Sequence, residues 1–352
     1  MNISRARFLR SLGAASILLP ATALAAPGRA ADGFAPEGWT KGAQPWTAQP
    51  AGGPSPLRFV VIGDRTGLAR PGVFEQALRQ IRLLQPDFIL SVGDLIEGYS
   101  DDRAEIGRQW SEVDQAIAAA GIPFVHTPGN HDIDNATTSD AWERLRGPRH
   151  YSFTYKGALF IVLNTEDKPQ PMPEKLARQF YGLIAAMKAD PEKTQKAMIE
   201  RLSAGTSNAK EYDTLESASF GDPQIAFVRD TLKRHPNAKW TFVVMHKPAW
   251  KKEFHCFSEM QELLHGRPHT VMAGHTHYFT HEVIDGADYI NMGTTGGIFP
   301  MGSENGAPLR LGPGTMDHIL LVNLQPEGPA IANLRLSGLM DKAGQTEQTL
   351  LY

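Results

Sequence analysis

Aspartate, asparagine and histidine recur in this chain at the ends of short apolar runs. Phe59–Ile62 leads to Gly63-Asp64, and Val92 leads to Gly93-Asp94. Val125 leads through Pro128 to Gly129-Asn130-His131-Asp132, Met245 is followed by His246, and Ala273 by Gly274-His275-Thr276-His277. Each piece alone has an ordinary explanation. Gly-Asp is a usual turn, a lone histidine is most often a satisfied core or surface group, and Asn-His-Asp can cap a loop. Repetition at successive strand exits points elsewhere. Open α/β sheets bind ligands beyond the carboxyl ends of their strands, so Asp64, Asp94, Asn130, His246, His275 and His277 are expected along one edge. Glycine before the polar residue lets the backbone turn tightly and come close to an ion. Carboxylate, carboxamide and imidazole together are a donor set for metal, and the imidazoles favour Mn, Fe, Zn or Ni over Mg or Ca.

The elements that must position these residues alternate along the chain. Phe59–Ile62 has the length and β-branched content of a buried strand. Pro71–Leu84 reads as a helix, "DFILSVGD" as a strand, Ala104–Ala120 as a helix, and "IPFVHTPGNHD" as a strand running into a loop. This order predicts an α/β fold with a largely parallel sheet at its start. "YSFTY" and "ALFIVLN" read as consecutive strands, and residues 168–221 as a polar helical insertion shaping access to the site. The pattern resumes with the helix "DPQIAFVRDTLKRH" and the strands "KWTFVVMH" and "HTVMAGHTHYF", and closes with β-like "HILLVNL" and "IANLRL". The main domain is expected over 57–340, after an extended linker at 26–56 and before a tail at 341–352.

The order Gly-Asp, Gly-Asp, Gly-Asn-His-Asp, His, Gly-His-Thr-His resembles the calcineurin-like metallophosphoesterase family, from Phe59 to about His281 apart from the insertion. The resemblance implies a four-layer α/β/β/α sandwich of two mixed sheets with two metal ions where the sheets meet. It implies that Asp94 bridges the ions, that Asp64 and His277 serve the first, and that Asn130, His246 and His275 serve the second. Such a pair, about 3.5–4 Å apart, clamps a phosphate and acidifies a bridging water, whose hydroxide attacks phosphorus. His131 is implied beside the leaving-group oxygen, with Asp132 orienting its ring.

One position departs from the family pattern. Its first block is Asp-X-His, and here it reads Asp64-Arg65-Thr66. A threonine hydroxyl is a poor ligand for a transition ion, so either the first ion is held weakly or another residue fills the gap. In the purple acid phosphatase branch a tyrosine three residues after the bridging aspartate takes this place, and "GDLIEGY" puts Glu97 there. Glu97 is expected either as an oxygen ligand of the first ion or as a solvated loop carboxylate. Arg65 is expected either on a substrate phosphate or in a structural ion pair.

Composition narrows the function further. The chain of 352 residues mixes 35 Lys and Arg with 38 Asp and Glu, and no basic block suggests long nucleic acid as a partner. The first 25 residues carry three arginines, no acid, a short apolar stretch and Ala23-Leu24-Ala25. That is the layout of a cleaved export signal, too short to anchor in a bilayer. "SRARFLR" resembles a twin-arginine signal with Ala6 in place of the second arginine. A periplasmic or secreted protein follows. With Cys256 as the only cysteine, no disulfide forms within the chain. The expected activity is hydrolysis of a small phosphomonoester or phosphodiester. The alternatives are a non-catalytic metal- or phosphate-binding protein, which Thr66 favours, and a nucleotide phosphodiesterase.

Overall fold

The computed structural model describes residues 33–339, apart from 38, 40–41, 170, 204–216, 252–256, 299–302, 305–306 and 309–312. The expected export signal and tail and Cys256 lie outside the described residues. One sheet holds β1 (Ala35–Glu37), β5 (Tyr151–Tyr155), β6 (Ala158–Val162), β7 (Trp240–Val244), β8 (His269–Ala273), β10 (Ala287–Asn291) and β9 (Thr280–Ile284), in that spatial order. The other runs β14 (Gly328–Arg335), β13 (His318–Gln325), β2 (Arg58–Ile62), β3 (Phe88–Ser91) and β4 (Phe124–Val125). β2, β3 and β4 are parallel neighbours, as are β6, β7, β8 and β10.

Both sheets are covered on both faces, which explains why their central strands read as continuous apolar runs. β2 shows the alternation most clearly. Phe59 and Val61 enter the core between the sheets with Phe160, Phe242 and Val244, whereas Val60 and Ile62 face outward. The Phe59 ring stacks on Phe88 at 5.3 Å and meets Phe160 and Phe242 edge-on at 5.3 and 5.0 Å. Outside the five-stranded sheet lie α1 (Val73–Leu84), α2 (Arg103–Ala120) and α3 (Ala136–Leu145), whose Phe74, Trp110 and Trp142 join Val60 and Ile62. Outside the seven-stranded sheet lie α6 (Asp222–Arg234) and α7 (Ser258–Leu264), through Val228, Leu232 and Met260. The result is the expected α/β/β/α order.

Local signals set the helix ends. The Asp102 side chain caps α2 by accepting from the amides of Ala104 and Glu105, and Gly121 at φ 65° ends it. In the insertion, α4 (Glu174–Ala189) and α5 (Pro191–Ser203) form a helical pair. The stretch expected as a linker departs from expectation in its described part. Ala35–Glu37 pairs antiparallel with β5, and Trp46 is buried between Phe34, Trp39 and Tyr151. A Pro- and Gly-rich composition concealed an edge strand and a core tryptophan there.

Candidate metal centre

The two sheets meet beyond the ends of β2 and β10. Asp64 and Thr294 form an isolated parallel bridge, and the Asp64 carbonyl accepts from the amides of Thr295 and Gly297. The Gly63 amide donates to the Thr295 hydroxyl at 2.9 Å. The glycine-rich segment from Asn291 therefore serves as the brace between the sheets. Close approach explains several glycines. A Cβ on Gly93, whose φ is 105°, would meet His246 Nδ1 at 2.8 Å and the Gly129 backbone at 2.9 Å. Asp94, His275 and His277 themselves sit at φ of 56°, 71° and 55°. Such strained backbone concentrates where the surrounding fold enforces a working geometry.

Four donor atoms converge on the second-ion side. His246 Nε2 lies 2.8 Å from Asn130 Oδ1 and 3.1 Å from Asp94 Oδ2. His275 Nδ1 lies 2.9 Å from the same Asn130 oxygen and 3.2 Å from His246 Nε2. Asp94, His246 and His275 are the group among the described residues whose ligand atoms are close enough to hold one ion. The carbonyl of Val92 accepts from His246 Nδ1 at 2.8 Å, which leaves Nε2 as the donor atom. Burial pushes the Asp94 carboxyl up, but the charges of His246 and His131 outweigh it and hold Asp94 well below the usual range. Burial pushes His246 down, yet the Asp94 charge lifts it to about 10. An anionic oxygen this stable among imidazole nitrogens fits a divalent transition ion.

The first-ion side is sparser. His277 Nε2 lies 3.2 Å from Asp64 Oδ2, and its Nδ1 donates to the Ile298 carbonyl. The Asp64 carboxylate also accepts from the His275 amide at 3.0 Å. The Thr66 hydroxyl is buried and, among the described residues, has no hydrogen-bond partner. Asp64 and His277 are the donors the structure brings together here.

Glu97, Arg65 and Asp132 make contacts away from the roles expected of them at the ions, the substrate or the His131 ring. The Glu97 carboxylate oxygens accept from the amides of Leu68 and Ala69 at 3.0 and 2.7 Å. This side chain holds the loop after Asp64. Arg65 does not face a substrate, since its guanidinium donates to the Leu95 carbonyl and pairs with Glu112 at 2.7 Å. Of its two expected roles, the structural ion pair is the one observed. Asp132 does not orient His131. It accepts from the amides of Asp94, Leu95, Ile96 and Gly129, pinning the two motif loops together. Burial and the Asp94 charge push Asp132 up to about 7 against the pull of these amides. The His131 ring is instead oriented by the Glu97 carbonyl, which accepts from Nδ1 at 2.8 Å, so that Nε2 stands 3.8 Å from Asp94 Oδ2.

Two residues of the site escaped sequence reasoning. Tyr99, at the end of the quoted "GDLIEGY", accepts from Asn130 Nδ2 at 2.6 Å. Phe180 of α4 lies over His131 and Tyr99, with ring centroids 5.6 and 5.7 Å away. Leu68, Tyr99, Ile298 and Phe180 belong to one apolar cluster that seats α4 against the site. Trp250 packs on Tyr289, against the core outside the seven-stranded sheet.

Comparison with known proteins agrees with this geometry. Residues 57–279 match the family described as calcineurin-like phosphoesterase. A stretch of 104 residues is 36% identical to the human serine/threonine-protein phosphatase CPPED1, covering 28% of this chain and 33% of the relative. The match thus spans about a third of that protein. The structure resembles a dimetal phosphatase from Danio rerio (TM-score 0.54, 13% identity, 80% of this chain and 97% of that one). It also resembles a purple acid phosphatase from Lupinus luteus seeds (TM-score 0.50, 13% identity, 82% of this chain and 53% of that one). At these identities the likeness shows the fold, and the fold is the one that layer order and strand exits already describe. With a family match over more than half of its length, this chain belongs to the calcineurin-like phosphoesterase family.

Proposed function

We propose that the chain is an exported, metal-dependent phosphoric ester hydrolase acting on small phosphoesters. The observation that carries this reading is the convergence of Asp94, Asn130, His246 and His275 donor atoms beside His131 Nε2. Divalent ions at such a centre clamp a phosphate and acidify a water. Mn, Fe, Zn or Ni suit the imidazole-rich set. The chain's own residues do the rest. Asp94 would sit between the ions, with Asp64 and His277 on one side and Asn130, His246 and His275 on the other. His131, held at Nδ1, presents Nε2 to the leaving-group oxygen and carries the proton that a departing alkoxide needs. Gly67 and Gly297 enclose the His277 ring, where a Cβ on either would lie 2.7 or 2.9 Å from its Cε1. Helix α4, through Phe180, narrows access on the His131 side, which favours small substrates. Export rests on the arginine-then-apolar pattern of the first 25 residues. Among the described residues, no helix is long and apolar enough to cross a membrane.

A second reading has its own support. The relatives matched over that third of their length are named serine/threonine-protein phosphatases, which points to a phosphoserine or phosphothreonine side chain as substrate. Manganese-loaded protein assayed with p-nitrophenyl phosphate, bis(p-nitrophenyl) phosphate and a phosphoserine peptide separates the readings. Faster turnover of one of the small esters is expected. Turnover of the peptide alone would favour the protein-phosphatase reading, and no turnover of any would favour a non-catalytic binding protein.

A further inference from the structure

Tyr99 occupies an unusual position for a core aromatic. Its backbone lies at φ 50°, directly after Gly98 at φ 59°. A bulky residue rarely adopts this region without an enforcing environment. The environment is explicit. The Tyr99 amide donates to Asp134 at 3.1 Å, the Gly98 amide to Gln109 of α2 at 3.1 Å, and the Gly98 carbonyl accepts from the Tyr181 hydroxyl of α4 at 2.7 Å. A Cβ on Gly98 would collide with the His131 backbone. The ring is 7% exposed and edges against His131 at 4.6 Å. Burial and packing alone would be satisfied by phenylalanine, so the hydroxyl needs its own account.

That account is Asn130. A carboxamide binds a cation through oxygen only, and its two faces differ little in shape. With the oxygen on the cation, the N–H groups need an acceptor on the far side. Here Oδ1 faces His246 and His275, and Nδ2 donates to the Tyr99 hydroxyl at 2.6 Å. We infer that Tyr99 is a positioning residue: its hydroxyl fixes the Asn130 amide with oxygen toward the second ion. The phenol is in turn fixed by α2, α4 and Asp134 through the backbone at 98–99, so the insertion, whose Phe180 packs on His131, also bears on Asn130 through this backbone. The inference rests on reading the convergent donors as a metal site. Outer partners of this kind typically contribute on the order of 10–100-fold in metal affinity or activity.

The test uses metal alone. Tyr99→Phe keeps the ring and removes only the hydroxyl. Titration of chelator-treated protein with Mn²⁺, followed by the electron paramagnetic resonance of free ion, should show binding weakened by about 10–100-fold. The visible spectrum of bound Co²⁺ should change, while the metal-free protein still melts cooperatively, lowered only by the loss of one buried hydrogen bond. Unchanged affinity and an unchanged Co²⁺ spectrum would overturn the inference. A second comparison guards against a general packing defect. In an Asn130→Ala background, Tyr99→Phe should cost nothing further, and an equal cost in both backgrounds would also overturn it. Because no substrate is involved, a protein that binds ions normally yet hydrolyses nothing would defeat the proposed function and leave this inference standing.

Discussion

Asp94→Asn is expected to strip the protein of bound transition metal and bring hydrolysis to background. The substitution conserves shape and removes one charge. Asparagine tolerates the φ of 56° found there, so the backbone need not move. The electrostatics fail instead. Asp94 Oδ1 accepts from the His131 amide at 3.0 Å while Oδ2 lies 3.1 Å from His246 Nε2. A carboxamide turned to satisfy one presents the wrong group to the other. Loss of an outer partner costs about 10–100-fold in such sites, and loss of the carboxylate shared by both donor sets should cost more. Elemental analysis beside a thermal melt checks this. A variant that melts like the wild type and keeps its metal would show that Asp94 is not a ligand.

His131→Gln should behave in the opposite way on metal and similarly on rate. The donors that converge on Asn130 do not include His131, so metal content should stay at the wild-type level. Turnover should fall by roughly 100–10,000-fold, the range for a positioned general acid. The fall should depend on the leaving group. Phenyl phosphate leaves as phenoxide, the more basic of the two leaving groups, and needs the proton more. p-Nitrophenyl phosphate leaves as a weak base and needs it less. A larger loss on the first substrate than on the second is the expected signature. Equal losses on both would mean that His131 binds the phosphoryl group and does not protonate the leaving oxygen.

The strand exits were legible because two separable signals coincide in the chain. Apolar runs mark the strands, and the Gly-polar pairs that follow mark their ends. Parallel neighbours such as β2 and β3 then bring Asp64 and Asp94 to the same edge, and no loop conformation has to be guessed. What was not legible depends on the direction a side chain takes within a loop. Arg65 and Thr66 follow Asp64 in sequence, but both of their amides donate to the Asp94 carbonyl, and this tight turn sends Arg65 outward to Glu112. Glu97 lies at the position where a ligand was expected, yet the positive φ of Leu68 aims that loop's amides at its carboxylate. Asp132 follows the same logic, taken up by four amides before it can meet a ring. Tyr99 stands two residues beyond the position examined for a missing ligand, and only the fold reveals its partner.

The central claim is that the side chains at these strand exits hold the ions on which hydrolysis depends. The most direct measurement follows metal content and phosphoester hydrolysis in the same samples as chelator-treated protein is reloaded with Mn²⁺. The account predicts no hydrolysis in stripped protein and tight binding of one ion at the second site, by Asp94, Asn130, His246 and His275. It predicts full rate only as another ion enters the first site, left without its histidine at Thr66. Hydrolysis indifferent to stripping, or fully loaded protein that hydrolyses no phosphoester, would contradict it.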